Sequence, residues 1–147
     1  MSMLPVLDVL GVVLVAGLVW YLVARHTADQ LKTIEQQRRA ESKLVGRADF
    51  VEGMQHFPVV LSLTDRDLKY ENHDLQAQLD LERIEEVEYV HELATGKDVP
   101  NGTVLRLRSH GHTFEFIVDK TAADQWVVAL PAHRMGGEAP RGQVLAH

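Results

Sequence analysis

Hydrophobic and polar positions fall into three regimes along this 147-residue chain. The first has no period: from Val9 to Ala24 every residue is uncharged and nothing is more polar than Gly, Trp or Tyr. Counted from Leu4, that run makes about 31 Å of helix at about 1.5 Å per residue, close to the roughly 30 Å hydrocarbon thickness of a bilayer. The second regime, residues 25–47, is rich in helix formers and holds no Pro or Gly before Gly46. Leu31 and Ile34 give it only a thin apolar stripe, so the expectation is a solvated helical stalk that Gly46 stops.

The third regime alternates with period two. Residues 59–64 (VVLSLT), 67–72 (DLKYEN), 75–81 (LQAQLDL), 85–92, 103–109 and 112–118 all set apolar against polar positions. Such alternation predicts short, half-buried antiparallel strands, with 64–67, 72–74 and His110-Gly111 as turns. A first strand around 49–55 brings the count to seven. Residues 119–134 then return to helical spacing, with Thr121 as the expected N-cap, Asp124 three residues on, and Ala122, Trp126, Val127 and Leu130 on one face until Pro131. The expected architecture is mainly β with helices: an anchor at 1–24, a basic stalk at 25–47, a domain at 48–134 and a flexible tail at 135–147.

Charge separates these regimes further. Residues 25–47 hold six Lys or Arg against three acids, whereas residues 48–134 hold eight against sixteen. Phosphate binding needs a basic face, and the only one lies beside the apolar segment, so nucleic acid is excluded as a partner. A secretory signal peptide would carry Lys or Arg ahead of its apolar run, and here only the amino terminus and Asp8 precede it. The expectation is therefore a retained single-pass helix, with Asp8 at the interface and Trp20, Tyr21 and Arg25 at the opposite membrane boundary. Basic residues follow the span and none precedes it, which places the C-terminal part in the cytoplasm. Gly11 and Gly17 are not at the small-xxx-small spacing of paired membrane helices, though a homo-oligomer stays open.

Candidate chemistry is sparse. The chain has no Cys, which removes disulfides and thiolate catalysis. Among eight histidines, His110 and His112 flank a turn without a Cys or carboxylate to complete a zinc site. No phosphate-binding loop, dinucleotide fingerprint or nucleophile elbow occurs, so neither a cofactor nor an enzyme is expected. Glu85, Glu86 and Glu88, with Arg106 and Arg108 on a neighbouring strand, form a candidate charged surface for a protein partner, and the arginines are placed to pair with Glu115.

Seven strands followed by one amphipathic helix carrying a Trp resemble the pleckstrin-homology-like superfold, most closely its GRAM and bacterial PH-like branches. The resemblance lies in Leu61-Ser-Leu-Thr64, Leu68-Lys-Tyr70, Leu79-Asp-Leu-Glu-Arg-Ile84, Val87, Val104-Leu-Arg-Leu107, Phe114-Glu-Phe116 and Trp126. It implies a seven-stranded bent sheet or barrel closed at one end by the C-terminal helix, with Trp126 plugging the core. It also implies a binding rather than catalytic role: a membrane-anchored interaction or scaffold module at the bacterial inner membrane, or alternatively a lipid or small-ligand sensor. Lipid-binding relatives use Lys or Arg in the first strand-to-strand loop. Residues 53–58 contain neither, so phosphoinositide recognition is not expected.

Overall fold

The computed structural model describes residues 4–135, with side chains from Gly11 onward. The interface placement of Asp8, and the tail beyond Met135, lie outside what is described. A single helix, α1 (Leu4–Arg39), opens the chain and carries the apolar regime into the basic one without a break. It ends earlier than Gly46. Glu41 N–H turns back to the Arg38 carbonyl at 3.1 Å, and by Leu44 the chain is in strand β1 (Leu44–Glu52). Helix propensity is outweighed here by pairing, because β1 matches β2 (Gln55–Leu63) residue for residue from Leu44–Leu63 to Glu52–Gln55. Gly46 lies within β1 beside the Trp126 ring, where a Cβ would make an ordinary contact 3.4 Å from Nε1.

The supposed loop at 53–58 is a two-residue turn. Gly53 takes φ +61° in it, a backbone that glycine adopts without penalty. Pro58 sits inside β2 because β3 (Asp67–Glu71) reaches back only as far as Val60. The Pro58 carbonyl accepts Asn72 Nδ2 at 3.0 Å, and the missing N–H falls on that same unpaired side.

The remaining strands are β4 (Gln76–Asp80), β5 (Ile84–Val90), β6 (Gly102–Ser109) and β7 (His112–Asp119), followed by helix α2 (Lys120–Ala129) and β8 (His133–Arg134). All pair antiparallel in one sheet of order β4-β3-β2-β1-β7-β6-β5-β8. Two expectations need correction. The sheet has eight strands rather than seven, and it is open: β4 and β8 form its two ends and do not pair. The extra strand is two residues long, too short to show a period, and adds to the β5 edge at Glu86 and Val87. An antiparallel sheet followed by a C-terminal helix is compatible with a PH-like arrangement.

One face of the curved sheet encloses the main core, where Leu61, Leu68, Val87, Leu105 and Phe116 are fully buried. α2 closes it with Ala123, Trp126 and Leu130. Val127, expected on that face, is 40% exposed. The helix begins at Lys120, one residue ahead of the expected cap, and Thr121 Oγ1 donates to Asp119 Oδ2 at 2.8 Å. Tyr89 Oη lies 2.6 Å from the Leu130 carbonyl and 2.9 Å from that of Trp126, which also accepts the Leu130 N–H, so the hydroxyl ties β5 to the helix end.

The stalk is not free in solvent. β2 is buried on consecutive positions from Val59 to Leu63, the mark of a strand covered on both faces. Val59, Leu61 and Leu63 point into the core, while Val60 and Ser62 point to the opposite side, where α1 lies across β1 and β2. Leu31 is the buried knob of α1. Two ion pairs flank it: Glu35 to Arg47 of β1 at 3.3 Å, and Arg38 to Glu71 of β3 through two hydrogen bonds. Glu71 is buried, so its pairing with Arg38 compensates a carboxylate taken out of water.

Candidate functional site

Three regions carry the residues singled out from sequence. The first is the apolar part of α1. From Gly11 onward the helix is long and apolar enough to cross a membrane, with mean hydropathy 1.5 in its most apolar stretch and none of that stretch buried. Trp20 is 78% exposed, and Tyr21 and Arg25 are likewise on the surface, so no part of the domain covers them. A core helix of a water-soluble domain would have buried its apolar side.

The second region is the charged surface. Arg106 stands directly opposite Glu88 on β5 and Glu115 on β7, and bonds both, at 2.8 Å and 3.1 Å. Its Nη2 also donates to the Glu92 carbonyl at 2.9 Å. Burial works against the Arg106 charge, but the two carboxylates outweigh it and raise its pKa. One row along, Arg108 stands opposite Thr113 and pairs not with Glu115, as expected, but with Glu85 at 3.2 Å and Glu86 at 3.6 Å, and Arg134 of β8 reaches Glu86 at 3.9 Å. All five predicted partner-surface residues therefore come together, as a ladder whose charges are engaged with one another.

The ladder also works inward. Glu115 accepts the Ala94 backbone N–H, and together with the bond from Arg106 to Glu92 this ties the 91–101 loop over the outer face of β6 and β7. Beneath that loop Leu93, Val104 and Val51 form a second small core.

The third region was not singled out from sequence. Where α1 leaves its apolar stretch, a cleft of about 710 Å³ opens between the helix and the end of the sheet formed by the start of β2 and the β3–β4 turn. Leu22, Val23, His26 and Gln30 line one wall, and Phe57 and the turn residues His73 and Asp74 line the other. Leu31 closes its floor. Gln30 Nε2 is 2.8 Å from His26 Nε2. Asn72 Oδ1 accepts the N–H groups of Asp74 and Leu75, which fixes the turn and leaves the His73 and Asp74 side chains pointing out of the internal network. Neither of those side chains makes an ion pair or hydrogen bond among the described residues.

The signal for this docking was in the sequence, split between distant segments. Leu31, Ile34, Glu35 and Arg38 follow the i, i+3, i+4, i+7 spacing of a packed helix face, and Val60 is an apolar residue at an outward strand position. Only the fold shows that the two surfaces meet. The other histidine expectation holds locally: His110 and Gly111 form a two-residue turn with φ +53° and +76°. No protein-family model matches this chain, and neither does any curated protein. What defines its class is therefore the architecture alone, an open antiparallel sheet capped by α2 and carried on a long apolar helix.

Proposed function

We propose that this chain is a single-pass, membrane-anchored interaction module whose PH-like domain presents a binding surface for a protein at the cytoplasmic face of a bacterial inner membrane. The observation that carries this reading is the docking of α1. Its exposed apolar stretch runs unbroken into the turns that grip β1, β2 and β3 through Leu31, Glu35 and Arg38. A domain attached by a loose tether samples all attitudes, whereas one gripped by its own anchor keeps the same face toward the bilayer. That suits a scaffold, since presenting a fixed face lowers the orientational cost of association. The basic residues that follow the apolar stretch favour the cytoplasmic side.

The test is a pair of measurements on the intact chain. The protein should stay in the membrane pellet after alkaline extraction, and a reporter fused to the C-terminus should be active in the cytoplasm. Extraction into the supernatant removes the anchor, and a reporter active only outside the cytoplasm reverses the orientation. Co-purification from native membranes, compared with a variant lacking residues 48–134, then asks whether the domain recruits a specific protein.

The second reading, a lipid or small-ligand sensor, is favoured by a different observation. The cleft at the helix–sheet junction, at about 710 Å³, falls within the roughly 300–1,000 Å³ of small-molecule sites and opens beside the end of the apolar helix.

A further inference from the structure

The cleft lies where the apolar stretch of α1 meets the sheet. Its helix wall changes from Leu22 and Val23, apolar and more than half exposed, to His26, Thr27 and Gln30 within two turns. An aliphatic-to-polar gradient of that length is the gradient a lipid shows between its acyl chains and its headgroup. On the opposite wall Phe57 and Pro58 stand beside His73 and Asp74, again apolar next to polar. Each wall thus offers apolar and polar side chains to one occupant.

The charges select among headgroups. The lining holds one carboxylate, Asp74, and two imidazoles, His26 and His73, with no Lys or Arg. An anionic headgroup would find no ammonium or guanidinium there. A headgroup joining a phosphodiester to a primary ammonium finds a partner for each end: a carboxylate for the ammonium, and ring N–H donors for the phosphate oxygens. A trimethylated ammonium has no N–H to give to Asp74.

We propose that the cleft between α1 and the β3–β4 turn binds the headgroup of a phospholipid bearing a primary amine, with Asp74 receiving the ammonium and the phosphate accepting from His73 and from Nδ1–H of His26, whose Nε2 accepts from Gln30. Leu22, Val23 and Phe57 receive the glycerol and upper acyl region. The inference rests on the reading of α1 as a membrane span, since only that places the cleft at headgroup height. It assigns the junction a purpose beyond attachment: the domain reads the lipid its own anchor stands in.

The experiment uses the full chain, exchanged from detergent into nanodiscs of equal parts phosphatidylcholine, phosphatidylethanolamine and phosphatidylglycerol. Lipid that stays with the protein after mild delipidation is counted by native mass spectrometry. Phosphatidylethanolamine should be retained in preference to the other two. Asp74→Asn, at an exposed turn whose backbone is held by Asn72, should cut that preference roughly tenfold, the worth of one charge-assisted hydrogen bond. Thr27→Trp, which fills the cleft without altering its charge, should abolish retention. Equal retention of the three lipids, a preference for phosphatidylglycerol, or a preference that survives both substitutions overturns the proposal. So does cross-linking of a cysteine placed at Thr27 to a second copy, which would make the occupant another chain. Failure of the anchor reading is distinguishable, because that protein would not enter nanodiscs at all.

Discussion

Tyr89 shows how one side chain can hold two elements together. It stands on β5, yet its hydroxyl serves carbonyls at the end of α2, and with a single hydrogen it donates chiefly to the nearer, that of Leu130. Burial pushes its pKa well above the usual tyrosine value of about 10. A raised pKa in the folded state means that the neutral form is the one folding favours. Its contribution is complete below about pH 10 and is lost as the pH climbs toward the folded value. Tyr89→Phe should cost about 1–3 kcal/mol at neutral pH. In thermal melts, the gap between wild type and variant should close above about pH 10, and a gap independent of pH would show that the hydroxyl is not buried as described. Arg106 makes a second case. Replacing it with Met strands Glu115, only 8% exposed, and frees the 91–101 loop, so a loss of about 1–3 kcal/mol is expected. Amide hydrogen exchange should report the loop opening at Ala94 while α2 stays protected.

At the scale of elements, the decisive contact is between α1 and the outer face of β1 and β2. From α1 it buries one apolar side chain, Leu31, over Val60 of β2, and it relies on two ion pairs for register. Such an interface is strong enough to orient and weak enough to break by substitution. Arg38→Ala leaves Glu71 buried without its partner, and Leu31→Ala removes the knob, at a cost of about 2–5 kcal/mol for a well-packed site. The double variant should release the helix while the sheet persists. A spin-label pair at Gln37 and Lys69 should then change from one narrow distance to a broad distribution, with the main-core amides still slow to exchange. The sequence pattern predicted a solvated stalk because the counterpart of its stripe, Val60 on β2, lies far along the chain. It placed six of the strands near their observed positions, since alternation is a local property. It missed the strand nature of residues 44–48, because helix formers run on through Lys43 and Leu44 while the partners of this segment, β2 and at Ala48 β7, are set by the fold.

For the whole molecule, the absence of any Cys makes orientation directly measurable. Met54, 91% exposed at the tip of the β1–β2 hairpin, is a site where a single new thiol should disturb nothing. Met54→Cys should react with a membrane-impermeant maleimide in inside-out vesicles and resist it in intact cells. The reverse pattern would place the domain on the other side of the membrane. The charge ladder also changes standing at this scale. Glu88, Arg106 and Glu115 satisfy one another across three strands and stabilise a loop, so a partner meeting that face finds paired charges instead of free ones. Exposed apolar side chains remain on α2 at Val127 and Val128, on the side away from the core.

By itself the sequence determined the apolar helix, the antiparallel alternation, the closing helix with its buried Trp126, and the cross-strand pairing of Arg106 with Glu115, because each follows from periods of two or 3.6 residues or from neighbouring strands. Tertiary structure alone decided that α1 folds onto β2, that Gly46 comes to lie beside Trp126, that β8 extends an open sheet, and that a cleft forms between α1 and the β3–β4 turn. Those outcomes depend on surfaces separated by tens of residues, whose contact is a matter of how the sheet curves and where the helix leaves it, and no local pattern encodes that.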